Sequence, residues 1–154
     1  MRLLNGKAST TAGCEPGNMP RTRTVLFTIS IDTEIDKSPA WTVSADRTFR
    51  SVTEGIPERL TPLFDEHGAR PTYLLSGEVI DDKASVRALN ATRGCELGTH
   101  LHGEFVAPHG RAGDMANERT SDMQCAYPEE LEFLKLRSLS DLFTARFGRP
   151  PLSF

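Results

Sequence analysis

The sequence lacks several features that would assign it quickly to a class of protein. No apolar run approaches the roughly 18 residues that a membrane-spanning helix needs, so we expect no membrane span. The 18 lysines and arginines stand against 21 acidic residues, for a net charge of −3. This balance gives no basic stripe and argues against nucleic acid or an anionic membrane surface as a partner.

Cysteine is also scarce, and its spacing indicates no thiol chemistry. The three cysteines, Cys14, Cys95 and Cys125, are far apart and form no CxxC pair. An odd number of widely separated cysteines favours reduced thiols over a disulfide framework or a thiolate metal site. The first residues contain no apolar segment of the kind found in secretion signals. The sequence therefore predicts a cytoplasmic protein.

What is present begins with a polar segment and continues as alternating strand and helix signals. Residues 1–22 are rich in small and polar residues without periodicity, which predicts a disordered tail. From 23 to 154 the signals follow the order β-α-β-α-β-α-β, which predicts one α/β domain with parallel strands. Helices are predicted around Ile56–Phe64, from Asp81 or Asp82 to near Gly94, and from Pro128 to Gly148.

Four apolar or β-branched runs supply the predicted strands. The first, Val25–Ile31, is too apolar for clean alternation, so we expect a strand buried on both faces. Pro71–Leu75 and Cys95–His100 are the second and third, and Arg149–Phe154 begins a fourth in the same rhythm. Because parallel strands end at one edge of their sheet, the side chains that follow them should lie close together.

Carboxylates and imidazoles follow two of these strands. Asp32 and Glu34 close the first strand, and His100 and His102 close the third. Residues i and i+2 of an extended chain point the same way, so each pair can face one pocket. Two imidazoles and a carboxylate would provide three metal ligands and leave a position open for water, as in catalytic sites. The second carboxylate could then accept a proton.

Other interpretations of these residues stay open from the residues alone. Strand ends often carry acidic residues as solvated caps, and surface histidines fall into pairs by chance, so a metal-free binding module is one alternative. Glu104 and His109, in the loop after the third strand, are alternative ligands or acid–base groups. His67 follows a predicted helix and is expected to interact with the carbonyls at its end.

Two motifs resemble those of the polysaccharide deacetylase (NodB-homology) superfamily. Ser30–Glu34 resembles its first motif, and Glu96–Glu104 resembles its histidine motif. The similarity is greatest to the branch with a G-x-H-L-H signature, which includes exopolysaccharide-associated deacetylase-like proteins. Phe147–Phe154 resembles the lead-in to that branch's next strand, so the resemblance spans residues 24–154.

The resemblance implies a role for each matched residue. Asp32 matches the catalytic base, His100 the first metal-binding histidine, and Glu34 a metal-binding carboxylate that is usually Asp. The best-known members space their two histidines four apart, and position 104 is Glu here. His102 is therefore assigned as the second histidine, with Glu104 as the alternative ligand. The implied cofactor is a divalent metal, with zinc as the first choice.

The implied reaction is removal of an N-acetyl group, or cleavage of a related C–N amide, in a carbohydrate or small amide substrate. The implied fold is a distorted (β/α) barrel, usually of seven strands, with the site at their C-terminal ends. The family's later arginine motif and general-acid histidine have no counterpart in this sequence, so we expect the N-terminal half of such a barrel.

A half barrel has a physical consequence, because it would expose strand edges and an apolar face. The sequence therefore predicts a fragment of a longer protein or an oligomer that covers the open edge. The alternative function is a truncated, catalytically inactive, metal-binding remnant of such an enzyme.

Overall fold

Three short parallel strands form the centre of the structure. The computed structural model describes residues 25–43, 46–108 and 127–154. The strands lie in the order β1-β2-β3, and Ser30 aligns with Thr72, which aligns with Glu96. Their bounds are Ser30–Thr33 for β1, Thr72–Leu75 for β2 and Glu96–Thr99 for β3. The predicted α/β class with parallel strands is confirmed, whereas the deacetylase-type barrel stays a prediction.

Some sequence predictions fall where the structure gives no description. The predicted tail of residues 1–22, the alternative ligand His109, and the thiols of Cys14 and Cys125 all lie outside the described residues. Within the described part, no helix combines the length and the apolarity that crossing a membrane requires.

Helices connect the strands and cover the sheet. Asp82 and Gly148, predicted as helix bounds, stand at helix ends: the Asp82 side chain accepts a hydrogen bond from the Ser85 amide at 2.7 Å, and Gly148 ends the last helix with a φ of 70°. Both are common ways of satisfying helix ends. The helical bounds are Ser51–Leu60 for a π-helical segment, Thr61–Glu66 for α1, Gly77–Asp81 for α2, Lys83–Ala91 for α3, Gly103–Phe105 for a 3₁₀ turn and Glu129–Phe147 for α4.

The first strand is shorter and less covered than its sequence predicts. Val25, Leu26 and Phe27 are 84–89% exposed, so the expectation of a strand buried on both faces is wrong for this part. The cause is register, because β2 begins at Thr72, opposite Ser30. The three apolar residues therefore extend past the end of their only neighbouring strand in the described sheet.

The helix α4 packs against α2, α3 and β3 through a face that the sequence only partly indicates. Its buried residues are Lys135, Leu139 and Phe143, spaced four apart, whereas Leu134 is 47% exposed. The face predicted from the spacing of residues along this helix omitted the lysine and consisted of Leu131, Leu134, Ser138, Leu142 and Phe143. A buried lysine is uncommon unless its ammonium is paired, and its partners lie beside the candidate site described below.

Residues after α4 run alongside β3, where a fourth strand was predicted to begin. The Thr99 amide donates a hydrogen bond to the Ser153 carbonyl at 3.0 Å. Gly98 permits this approach, because a Cβ there would stand 2.7 Å from the same carbonyl oxygen. The segment is not a strand in the described residues, but it lies beside β3 as the prediction requires.

Candidate metal centre

The sheet brings the predicted site residues to one edge. Asp32 lies in β1 and Glu34 directly follows it, while His100 directly follows β3. The strand ladder continues past β3, since the His100 amide donates to the Leu75 carbonyl at 2.8 Å. This backbone bond fixes the direction in which the His100 side chain leaves the sheet.

Glu34, His100 and His102 converge on one point. The Glu34 Oε1 atom lies 3.0 Å from Nε2 of His102 and 3.4 Å from Nε2 of His100. One potential ligand atom from each residue falls within 4.8 Å of the others. The side chains are 18–30% exposed, so the cluster is partly shielded yet reachable from solvent. These three residues could hold a metal ion.

The spacing of the donor atoms suits a small divalent cation. Zinc bonds to nitrogen and oxygen ligands are about 2.0–2.1 Å long and tetrahedrally arranged, which puts neighbouring ligand atoms about 3.3 Å apart. The two N···O separations of 3.0 and 3.4 Å lie on either side of this value. One carboxylate and two imidazoles also leave a fourth tetrahedral position without a ligand from these residues.

Glu104 orients His102 from the opposite side. The Nδ1 atom of His102 lies 3.2 Å from Glu104 Oε1, while its Nε2 faces Glu34. A carboxylate bonded to the far nitrogen of a ligating histidine fixes the tautomer and direction of the ring. In this arrangement Glu104 supports the ring of His102, and it does not belong to the three-residue cluster. Its sequence-based assignment as an alternative ligand is therefore not what the geometry favours.

Lys37 holds the other oxygen of Glu34. Its Nζ forms an ion pair and hydrogen bond with Glu34 Oε2, and both side chains are about one-fifth exposed. The Glu34 carboxylate thus faces a cation with one oxygen and the two imidazoles with the other. This division leaves Oε1 directed toward the cluster. Sequence reasoning missed Lys37, although its i, i+3 spacing from Glu34 was visible.

The charges in the cluster support one another. Burial alone would raise the pKa of Glu34, but hydrogen bonds from Lys37 and His102 and their charges outweigh it and lower the pKa. Burial alone would also raise the pKa of Glu104, but its hydrogen bond with His102 and the charge of that imidazole outweigh burial and lower the pKa. The Glu104 hydrogen bond, aided by the Glu34 charge, raises the pKa of His102 despite its burial. Without a metal, the cluster therefore favours ionised carboxylates around an imidazolium.

Asp32 lies beside the three-residue cluster rather than within it. Its Oδ1 is 4.0 Å from Nδ1 of His100, too long for a hydrogen bond, and its side chain is 59% exposed. The His100 ring therefore presents one nitrogen to Glu34 and the other toward Asp32. A carboxylate in this position is accessible to a water or substrate at the open side of the cluster.

Two buried polar residues near the site were not predicted from the sequence. Glu78, in α2, accepts a hydrogen bond from the Ile35 amide at 3.3 Å, and its Oε2 has no hydrogen-bond partner among the described residues. Lys135 donates to the Gly103 carbonyl at 2.6 Å and the Val106 carbonyl at 3.0 Å. The lysine thereby ties α4 to the turn that follows His102. No local pattern marks either residue, because its partners are distant in sequence.

Comparisons with known proteins assign no family to the chain. No family model matches the sequence, no curated protein matches it, and no solved structure matches the fold. The geometry of Glu34, His100 and His102 is therefore the observation from which the function has to be argued.

Proposed function

We propose that this protein is a metal-dependent hydrolase of the polysaccharide deacetylase type. It removes N-acetyl groups from a carbohydrate or cleaves a related C–N amide. The observation that carries the proposal is the convergence of Glu34, His100 and His102, with Asp32 beside them. These are the residues that the motif resemblance matches to a metal site and its base. Zinc is the proposed metal, because the donor set and its spacing suit it.

The chain's residues divide the work of such a reaction. A divalent cation held by the three ligands would polarise the amide carbonyl and make water a stronger acid. Asp32 accepts the proton of the attacking water, for which its exposed carboxylate is accessible. Lys37 and Glu104 keep Glu34 and His102 directed toward the cluster. Expulsion of the amine also needs a proton donor.

The second candidate function is an inactive metal-binding remnant, because the reaction needs a proton donor in addition to Asp32. Apart from the two cluster histidines, His67 is the only other histidine in the described ranges, and it lies at the end of α1. No imidazole of the described part is thus left to act as the acid beside Asp32. A remnant would bind metal as the active enzyme does, without turnover.

Acetate release from N-acetylated oligosaccharides separates these functions. We expect Asp32→Asn to lower kcat by about 10²–10⁴-fold, the usual contribution of a positioned base, and to retain bound zinc. His100→Ala should lose both zinc and turnover, because it removes a ligand. Asp141→Asn, which changes an exposed carboxylate of α4, is the matched control and should behave as the wild type.

The possible outcomes are distinct. Turnover that falls in the Asp32 and His100 variants supports the deacetylase. Zinc binding with a wild-type rate no higher than that of the variants would exclude catalysis by this chain and support the remnant. A chain that neither binds zinc nor releases acetate would contradict both functions.

A further inference from the structure

A wide cleft borders the candidate metal centre along the first strand. Its volume is about 880 Å³, and its lining includes Asp32 and Glu34 as well as Arg59 and Leu60 of the π-helical segment. Small-molecule sites are commonly about 300–1,000 Å³. The cleft is thus large enough for more than the single acetamido group that would react at the metal.

Trp41 stands on the wall of this cleft and is held outward. Trp41 is 79% exposed. Leaving so large an apolar side chain in water costs free energy unless a ligand covers it. Phe105, whose ring stacks on that of His102 at a centroid distance of 6.3 Å, is by contrast buried. Trp41 therefore leaves a large apolar surface uncovered beside a potential binding site.

The backbone of Trp41 is strained at the point where it carries the exposed ring. Its φ is 60°, a left-handed conformation that costs a bulky residue about 1–2 kcal/mol. The surrounding turn enforces it: the Trp41 amide donates to the Ser38 carbonyl at 2.8 Å, and the Ser38 amide donates to the Thr42 carbonyl at 2.9 Å. The two hydroxyls of Ser38 and Thr42 also lie 2.7 Å apart. Strain retained by such a network is typical of functional positions.

Trp41 is connected to the metal ligands through one side chain. The Nζ atom of Lys37 lies 5.2 Å from the Trp41 ring centroid and also contacts Glu34. A cation at this distance interacts with the electron-rich face of the indole. Lys37 thus links the ring to the ligand Glu34, and a molecule that stacks on Trp41 lies next to the proposed reaction site.

We propose that Trp41 is the stacking platform for a neutral pyranose ring adjacent to the sugar unit that reacts. The proposal rests on the proposed function, because it identifies how that site would hold a carbohydrate. The indole face carries partial negative charge, which attracts the C–H groups on the apolar side of a sugar ring. The polar side chains around the cleft can bond to its hydroxyls.

The charge of the cleft favours a neutral sugar over an anionic one. Five acidic residues line it against three basic ones, and two of the basic side chains, Lys37 and Arg50, are paired with Glu34 and Glu54. Phosphorylated or uronic ligands would therefore meet repulsion. An N-acetylated sugar carries no charge, and the amine formed by deacetylation would be attracted to the same acidic surface.

The test uses the fact that Trp41 is the single tryptophan of the chain. A β-1,4-linked tetramer of N-acetylglucosamine is titrated into the metal-free protein with a chelator present, while tryptophan fluorescence and the heat of binding are recorded. We expect a saturable change in fluorescence in the metal-free state. The experiment therefore does not depend on zinc binding or turnover, which are the measurements that test the proposed function.

Substitutions measure how much the Trp41 ring contributes to sugar binding. We expect Trp41→Ala to weaken calorimetric binding of the tetramer by about tenfold, the upper range for one aromatic stacking contact, and Trp41→Phe to weaken it less. Phe133→Ala removes a comparably exposed aromatic of α4 and should leave binding unchanged.

The proposal is overturned if the tetramer leaves the fluorescence unchanged, or if Trp41→Ala binds it as tightly as the wild type does. It is also overturned if an oligogalacturonate, which is anionic, or adenosine, which is aromatic, binds more tightly than the neutral tetramer. Either result would assign the cleft to another class of ligand, even for a protein that binds zinc.

Discussion

At the scale of single residues, Glu104 decides how His102 is presented. The imidazole lies between two carboxylates, with Nδ1 at 3.2 Å from Glu104 and Nε2 at 3.0 Å from Glu34. Glu104 therefore holds the ring through the nitrogen that is not needed for a metal. This makes it a positioning residue whose effect can be measured apart from that of the ligands.

We expect Glu104→Gln to weaken zinc binding by about 10–100-fold, the usual effect of losing a carboxylate behind a ligating histidine. Competition with a chromophoric chelator measures the dissociation constant. Glu96→Gln is the matched control, because Glu96 is an exposed carboxylate at the opposite end of β3. Equal zinc affinity in the Glu104 variant and the wild type would exclude the positioning role.

The same residues predict a pH window for the stability of the metal-free protein. Glu34 and Glu104 have pKa values below their ordinary 4.5, so their contribution is present above pH 4.5 and lost as the pH falls through the lowered values. His102 has a pKa above its ordinary 6.5, so its contribution is complete below pH 6.5 and lost as the pH rises through the raised value.

The cluster therefore contributes most to stability between pH 4.5 and 6.5. Urea unfolding of the metal-free protein should show the free energy of unfolding declining from pH 6.5 toward pH 8.5 more steeply in the wild type than in His102→Gln. Parallel pH dependences in the two proteins would contradict the arrangement.

The residues of the site could be predicted from sequence to the extent that their geometry is local. Asp32 and Glu34, like His100 and His102, follow the i, i+2 rule of an extended chain. Lys37 was missed although its i, i+3 spacing from Glu34 is local, whereas Glu78 could not be assigned from local spacing. The position of Glu78 depends on how α2 lies against the residues that follow β1, where its carboxylate accepts a hydrogen bond from the Ile35 amide, and no short-range pattern encodes that contact.

At the scale of elements, α4 supports the turn that carries His102 and Glu104. Lys135 is 1% exposed and donates to the carbonyls of Gly103 and Val106 from the helix. A buried ammonium is tolerated when hydrogen bonds replace its water. The helix therefore holds the turn through hydrogen bonds from a charged side chain as well as through the shared apolar core.

We expect Lys135→Met to lower the free energy of unfolding by about 1–3 kcal/mol, because it removes two buried hydrogen bonds from a charged donor. Zinc affinity should fall as well, since the turn after His102 loses its attachment to α4. Lys83→Met, at an exposed position of α3, should change neither property. Urea unfolding and zinc competition on both variants measure the effects; unchanged stability in Lys135→Met would contradict the anchoring role.

The elements differ in how much of them the sequence reveals. Helix ends were predictable because capping depends on neighbouring residues: Asp82 accepts a hydrogen bond from the first turn of α3, and Gly148 adopts the left-handed backbone that ends α4. The buried stripe of α4 was not, because periodicity counts a lysine as exposed and cannot see the carbonyls that pair with Lys135. The exposure of Val25–Phe27 was missed for a related reason, since it depends on where β2 begins.

At the scale of the whole molecule, the parallel sheet is what assembles the site. Glu34 follows β1 and His100 follows β3, with β2 between them. Residues far apart in sequence thus meet because all three strands end at one edge. The sequence predicted this edge from the alternation of strands and helices, whereas the full barrel depends on strands beyond the three described here and remains part of the proposal.

Zinc stoichiometry tests the central claim, that Glu34, His100 and His102 form one metal site. After reconstitution and dialysis against metal-free buffer, elemental analysis of the wild type should give about one zinc per chain, and His100→Ala or Glu34→Gln should retain less than about a tenth as much, since each removes one of three ligands. Less than about a tenth of an equivalent in the wild type, or equal zinc in wild type and variants, would contradict a site of this kind.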